Sequence, residues 1–342
     1  NEACLLFILG CTDVRPPPSE RNFVSVALDK EIDRVAQQIS DPDLACIFRN
    51  TLPNTLDTTV QVLRTSPPDT FIITGDIAAM WLRDSTNQVL PYLKLAKRDP
   101  QLARMLAGLV RRQTAQVTLD PYANAHTAQF YELSPNSGDS TSTPNFAGTR
   151  TSAMVPGVYE RKYELDSLMA FLKLSRSYFA ATSDPSPFEE GWLRAVRSVF
   201  RVLKQSQLSS HAASSLPSGF PYQFARTTSV PTDTLLFSTG PPARHTGLCR
   251  SAFRPSDDAC TYPYLVPSNA MAVVELRHAA AMLPHLFPNT TGGVRGELVA
   301  ISRDLTTKLT DLADEIDAAL RAYAILPHTM SGGDVYAYEV DG

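Results

Sequence analysis

Apolar residues recur at helical spacing along most of the chain. Leu28, Ile32, Val35 and Ile39 fall at 4-3-4 spacing. Leu102, Met105, Leu106, Leu109 and Val110 form a second stripe, with Arg104, Arg111 and Arg112 off it. Leu165, Leu168, Met169 and Leu172 make a third, and Trp192, Leu193, Val196, Val199, Phe200 and Leu203 a fourth. Two longer periodic segments follow, 271–286 and 298–323; in the second, Leu298, Ile301, Leu305, Leu309, Leu312, Ile316, Leu320 and Tyr323 trace a single face. Apolar positions three and four apart share one side of an α-helix, so the chain reads as mostly helical. Strand-like runs are short and few, at 71–74 and 335–340. Stretches rich in Ser, Thr, Pro and Gly separate the helices, the longest at 133–156 and 206–246. Connections of that length are usually functional or disordered. No repeat of fixed period and no interdomain linker is visible. The reading is one helical domain over residues 23–342, preceded by a distinct segment, 1–22.

Composition narrows the function classes. At 342 residues the chain can bury a large core. Charged residues are 19% of the total, the net charge is -4, and there is no lysine or arginine block. Nucleic acid and anionic membrane surfaces are therefore not expected partners. The apolar run LLFIL at 5–9 is far too short to span a membrane, so no stable membrane insertion is expected. The run reads as the remainder of a signal peptide or anchor, or as an intron edge; the first implies a secretory destination, with the cytoplasm left open. Asn289-Thr290-Thr291 is a glycosylation sequon that matters only in a secreted chain. Five cysteines, Cys4, Cys11, Cys46, Cys249 and Cys260, are too few and scattered for a disulfide framework; one Cys249–Cys260 bridge beside the 254–258 motif is conceivable. The six histidines show no HxxxH or HxH spacing, and most read as surface or loop residues. Neither a metal nor any cofactor is expected.

The segment TGDIAAMWLRDS, residues 74–85, is the densest in candidate chemistry. It gathers Asp76, Trp81, Arg83 and Asp84. Carboxylates accept hydrogen bonds from vicinal hydroxyls, arginine donates a fixed fork, and an indole offers an apolar face to a sugar ring. The same residues also describe a plain helix start, with an Asp cap, a core Trp and a surface ion pair.

The string closely resembles the signature of glycoside hydrolase family 125, the metal-independent exo-α-1,6-mannosidases, including their fungal branch of meiotically up-regulated proteins. Further blocks match in the same order: PNTLDTTV (53–60), DPYANA (120–125), ERKYELDSL (160–168), SAFRPSDDACTYPYLVPSNAMAVVEL (251–276) and VYAYEVDG (335–342). The resemblance covers residues 40–342. It implies an all-α (α/α)6 toroid, metal independence, α-mannoside oligosaccharides as partners, and an inverting exo-α-1,6-mannosidase activity on terminal mannose of α-mannosides and N-glycans. Such a reaction needs one carboxyl to protonate the leaving oxygen and another to activate a water, roughly 6.5–9.5 Å apart.

Asp257 and Asp258 are adjacent acids with Arg254 close by, an arrangement that splits pKa values through like-charge repulsion and arginine pairing. The resemblance places the general acid in this block; Asp257 is favoured and Asp258 is the alternative, and either could instead cap a turn. Asp166 and Tyr163 lie in a dense polar entry to a helix (Glu160, Arg161, Lys162, Tyr163, Glu164, Asp166), which resemblance sets at the toroid mouth and helix-dipole electrostatics would also explain. Tyr122, Asn124 and Arg254 are ligand-type residues, and Asn269 either caps a helix or binds a sugar hydroxyl.

The sequence departs from the family pattern in two places. Cys249-Arg250 stand where the family often has a tryptophan. The family's DDANVPSLL-like block and the later segment with its general base are expected beyond Gly342, so the toroid is expected to be incomplete, with apolar faces such as 298–323 uncovered. Glu339 and Asp341 are poorly held positions for a substitute base. Two functions therefore compete: a mannosidase fragment without its base, and a non-catalytic, truncated sugar-binding or unstable product.

Overall fold

The computed structural model describes residues 10–144, 150–151, 154–288, 293–328 and 332–341. The 5–9 run, the 289–291 sequon and part of the 133–156 stretch lie outside the described residues. The helices are α1 (Val26–Ala36), α2 (Pro42–Thr51), α3 (Leu82–Val89), α4 (Pro100–Leu119), α5 (Leu165–Thr182), α6 (Glu190–Ser206), α7 (Ser210–Ser214), α8 (Val266–Leu286) and α9 (Gly293–Tyr323).

Local chemistry sets several of the starts. The Asp99 carboxylate accepts from the Gln101 and Leu102 amides, and Pro100 occupies the first turn of α4, where no amide donor is needed. Asp41 and Pro42 repeat the device on α2. The Ser25 hydroxyl accepts from the Leu28 amide at the start of α1 and donates to Asp99 at 2.5 Å, joining two helix starts.

Helices α3, α5 and α8 pack side by side, and α4, α6 and α9 form a second row. Contacts between α4 and α5 and between α8 and α9 join the rows, giving the two-layered (α/α)6 toroid arrangement. Burial explains which helix goes where. Every residue of α5 from Leu165 to Leu172 is buried, as an inner helix covered on both sides requires. By contrast α6 buries one stripe, Trp192, Leu193, Val196, Val199 and Leu203, and turns its arginines outward.

The apolar face of α9 is covered rather than open. Leu305, Leu309, Leu312, Ile316 and Leu320 are buried, whereas Tyr323 at the helix end is exposed. The exposed apolar residues include Leu44 and Ile47 of α2 instead. Arg112, expected off the apolar stripe of α4, is itself buried. Its guanidinium forks onto Asp69 at 2.7 and 2.6 Å and lies over the Phe71 and Phe130 rings.

Among the described residues twelve short strands serve as connectors. They are β1 (Val60–Thr65), β2 (Pro68–Ile72), β3 (Met80–Trp81), β4 (Ala125–His126), β5 (Ser140–Pro144), β6 (Arg150–Thr151), β7 (Val158–Glu160), β8 (Gln223–Ala225), β9 (Tyr264–Leu265), β10 (Ile325–His328), β11 (Gly333–Tyr336) and β12 (Glu339–Val340). The expected strand at 71–74 is the end of hairpin β1–β2, and the 335–340 run divides between β11 and β12. The two long polar stretches meet, because β5 pairs with β8.

The 10–22 stretch is fastened to the helical body. Arg15 bonds Asp29 at 2.6 Å and Asp57 at 2.7 Å, and a disulfide joins Cys11 to Cys46 on α2. The conceivable Cys249–Cys260 bridge does not form: both thiols are free and buried. Cys249 is packed below α6, where its sulfur approaches the Leu203 carbonyl at 3.6 Å. Among the described residues no helix is long and apolar enough to cross a membrane.

Candidate active site

Three helix starts converge. Strands β3, β4 and β7 form one small antiparallel sheet in the order β3-β4-β7. β3 runs straight into α3, β7 lies just before α5, and β4 follows α4 by a short turn. Pairing such strands therefore forces Trp81, Asn124 and Glu160 together with the first turns of α3 and α5. The Leu82 amide bonds the Asn124 carbonyl at 3.1 Å and continues the seam. A backbone seam from the Tyr163 carbonyl to the Ala252 and Phe253 amides (3.2 and 3.1 Å) brings in the loop before α8.

Arg83 stands at the centre. One guanidinium meets four carboxylates: Glu164 in a short hydrogen bond, Asp84 and Asp166 at 3.5 Å each, and Asp257 at 3.8 Å. Glu164 is wholly buried. Besides Arg83 it accepts from the Ser167 hydroxyl at 2.7 Å and the Asn124 amide at 3.3 Å. Burial pushes its carboxyl well above the usual range; Arg83 opposes this, while the neighbouring Asp166 and Asp257 carboxyls add to it. Asp166 is shifted upward for the same first reason, loss of solvent, again against the pull of Arg83. One cation among four acids leaves a formal excess of negative charge, which favours the neutral form of the buried Glu164 and Asp166. Arg83 itself loses solvation by burial, but the acids outweigh that loss and hold it charged.

The cluster is not saturated. One oxygen each of Asp84, Asp166 and Asp257 is buried without a hydrogen-bond donor, and the Trp81 indole N–H is buried without an acceptor. Buried polar atoms are nearly always paired, so these groups await a ligand that both donates and accepts. Asp84 and Asp257 remain partly open to solvent, with side chains 37% and 42% exposed.

The loop carrying Asp257 is held firmly. Asp257 adopts a left-handed backbone, φ 66°, which a non-glycine residue keeps only under local restraint. Lys162, buried against the Phe253 ring, supplies the restraint: its ammonium donates to the Asp257 carbonyl at 3.0 Å and to the Asp233 carboxylate at 2.5 Å. Asp258 accepts from the Thr232 and Ser256 hydroxyls at 2.8 and 3.0 Å, and these bonds hold its carboxyl below the usual range. Glu160, Asp139 and Asp233 gather around Arg226, and Asn124 links this outer ring to Glu164 by bonding both glutamates.

Several expected residues lie elsewhere. Asp76 sits on an exposed loop with the Thr74 hydroxyl at 3.2 Å, while Arg83 is taken by other acids. Trp81 is only 6% exposed and packs on Tyr159, so it offers little open face. Tyr122 and Tyr163 turn into a separate aromatic group with Tyr222. Asn269 is fully committed to scaffold: it accepts from the Cys249 amide and donates to the Cys249 and Leu265 carbonyls. Arg254 pairs with Glu339 at 2.5 Å and caps Thr261. Glu339, far from being loosely held, also accepts the Thr261 and Tyr262 amides at 3.0 Å, and its carboxyl lies below the usual range despite partial burial. Glu164, the most buried acid of the cluster, escaped the sequence reading because an acid at a helix start is ordinary; its only signal was its place in the crowded 160–166 entry.

His126 is buried on β4 rather than being a surface or loop residue, and neither ring nitrogen has a hydrogen-bond partner. Burial pushes its pKa down to about 4. The unfolded chain binds a proton at the ordinary value of 6.5 while the fold refuses it until about 4. Stability should therefore be complete above the first value and decline across that window as pH falls, by up to about 3 kcal/mol. Urea unfolding at pH 7 and pH 4.5 should show this loss in the wild type and a smaller one in His126→Gln. Equal losses would acquit the histidine.

Among the described residues no group of three His, Cys, Asp or Glu side chains is arranged to hold a metal ion. A family model described as metal-independent alpha-mannosidase (GH125) matches residues 41–342. The meiotically up-regulated gene 157 protein of Schizosaccharomyces pombe is 41% identical over 335 residues, a match covering 96% of this chain and 62% of that protein. The chain thus spans about 62% of the length of this relative. A solved Streptococcus pneumoniae structure, described as a metal-independent alpha mannosidase in a non-productive complex with alpha-1,6-mannobiose, superposes with a TM-score of 0.78. It is 34% identical, with 94% of this chain and 68% of that one covered.

Proposed function

Because the chain belongs to the metal-independent alpha-mannosidase family GH125, we propose that it forms the sugar-binding and proton-donating part of an inverting exo-α-1,6-mannosidase. Its substrates are α-mannosides, N-glycans among them. The observation that carries this reading is the set of buried atoms around Arg83 that make no hydrogen bond: carboxylate oxygens of Asp84, Asp166 and Asp257 and the Trp81 indole N–H. The hydroxyls of a terminal hexose donate to the first three and accept from the last. The mannobiose complex of the Streptococcus pneumoniae relative supports the choice of sugar.

In this mechanism Asp257 is the general acid. Like Asp84 it touches both the Arg83 cluster and solvent, and it lies in the block to which the resemblance assigns the acid, close enough to Glu164 to raise that buried carboxyl. Asp258 is a poor alternative, since its hydrogen bonds favour the ionised form. Arg83, Asp84 and Asp166 orient the ring. Glu164 is not assigned as the water-activating base: it is wholly buried and bound to Arg83 and the Ser167 hydroxyl, whereas the base of an inverting enzyme faces a water across the ring, with roughly 6.5–9.5 Å between the two carboxyls. Glu339 is occupied by Arg254 and two amides. As the family resemblance implies, the base is assigned to a later segment of the longer relatives, of whose length this chain spans about 62%.

A second reading rests on the same engagement of Asp258 and Glu339: residues 1–342 alone bind mannosides without hydrolysing them. A secretory location belongs to the proposal as well, supported by the Cys11–Cys46 bridge, since disulfides persist in oxidising compartments. The test is turnover of α-1,6-mannobiose in excess EDTA, by this chain and by a form extended to the relatives' length, with the first-formed anomer read by proton NMR. β-Mannose released despite the chelator is the expected result for the extended form. Release of α-mannose, or loss of activity on chelation, would overturn the reading. Hydrolysis by residues 1–342 alone would relocate the base within them.

A further inference from the structure

A second cavity lies away from the Arg83 cluster, with a volume of about 50 Å³. Tyr122, Tyr163, Tyr222, Phe220, Gln205 and Arg250 are among the residues that line it, and none of the acids bound to Arg83 does. Tyr122 and Tyr222 stack at 5.3 Å, and Tyr163 meets Tyr122 edge-on at 5.3 Å. Aromatic walls alone would make this a packing defect. Two polar groups argue otherwise.

The first is Arg250. Its guanidinium lies over the Phe220 ring at 5.6 Å and donates to the Leu208 carbonyl at 2.8 Å. Among the described residues it has no carboxylate partner. The other deeply placed arginines do: Arg83 has Glu164, Arg112 has Asp69, Arg161 has Asp120 and Arg226 has Asp139. Burial accordingly pulls the Arg250 pKa down, where those four acid-paired arginines gain a counter-charge. The second is the Tyr163 hydroxyl. The residue is 4% exposed and the oxygen has no hydrogen-bond partner. The Ser206 hydroxyl, which donates to the Leu203 carbonyl at 2.7 Å and keeps lone pairs to accept with, lies near the phenol but outside hydrogen-bonding geometry.

An uncompensated cation and an idle phenol on the wall of one cavity share one remedy. A small oxyanion accepts from both and supplies the missing charge. We propose that this cavity is a binding site for a small oxyanion, a carboxylate or phosphate group, held by Arg250 and the Tyr163 hydroxyl. The volume admits a few water-sized atoms, which suits such a group. The site touches the catalytic proposal physically, because the Tyr163 carbonyl accepts the Ala252 and Phe253 amides that lead to Asp257.

The experiment is calorimetric titration of the folded chain with inorganic phosphate and, separately, with acetate, at constant ionic strength. Saturable one-to-one binding of at least one ion is expected; which ion binds distinguishes a tetrahedral from a planar ligand. Arg250→Met should weaken it about tenfold or more, and Tyr163→Phe by a smaller factor. Arg194→Met, on the outer face of α6 where Arg194 pairs with Glu190, should bind as wild type. If Arg250→Met does not fold, Arg250→Gln and Tyr163→Phe carry the same comparison. No saturable heat with either ion, or undiminished affinity in a folded Arg250 or Tyr163 variant, overturns the site.

Discussion

In a form extended to the relatives' length, Asp257→Asn is expected to lower turnover of α-1,6-mannobiose about 10²–10⁴-fold, the range for a lost general acid. The amide keeps the shape of the loop, because the Lys162 bond is to the Asp257 backbone carbonyl and not to its side chain. What disappears is the proton delivered to the departing oxygen. An aryl mannoside, whose leaving group needs little protonation, should therefore retain much more of its rate than the disaccharide. Asp258→Asn should cost far less on both substrates, since Asp258 is tied to Thr232 and Ser256. If Asp258→Asn instead shows the leaving-group dependence and Asp257→Asn does not, the two roles are exchanged.

Arg83 gives the second large effect. Arg83→Met removes the cation shared by Asp84, Glu164, Asp166 and Asp257. Losing one partner of a buried ion pair costs about 3–5 kcal/mol, because the remaining charge has neither water nor counter-ion. The loss should be greatest near neutrality. With the guanidinium gone, the folded acids take up protons more readily than the unfolded chain does, so stability recovers as pH falls. Urea midpoints at pH 7 and pH 5 would show that sign. Arg83→Lys preserves the charge but not the fork, so the fold should survive while mannose affinity falls. A folded Arg83→Lys protein binding mannose like wild type in calorimetry would remove Arg83 from the sugar site.

The helices were legible because each buries a stripe or a whole cylinder, and the 3.6 period survives in residues such as Leu102, Met105, Leu106, Leu109 and Val110. The small sheet beneath the site was not, since two-residue strands such as β3 and β4 carry no alternation to read. That sheet nonetheless decides which motifs meet. Without it, Asp76 and Arg83 looked like neighbours in space because they are neighbours in sequence, and Glu164, distant in sequence, looked like helix-start decoration. Arg112 and His126 were misjudged for a related reason: a polar residue's burial depends on partners and packing supplied from elsewhere, Asp69 in the first case. The Cys11–Cys46 bridge depended on how the 10–22 stretch returns to α2, which spacing does not record.

The clasp between Arg254 and Glu339 spans 85 residues of chain. It closes only after the α8–α9 hairpin has brought β12 back to β9, where Glu339 faces Leu265. The helical hairpin rests on contacts along and between two successive helices and forms readily; the clasp must await a long loop closure. The toroid's helices can thus be native-like while the turn bearing Asp257 still lacks its brace from β12. On this account Asp257, the proposed proton donor, is among the last residues to reach its final position, later in folding than helicity.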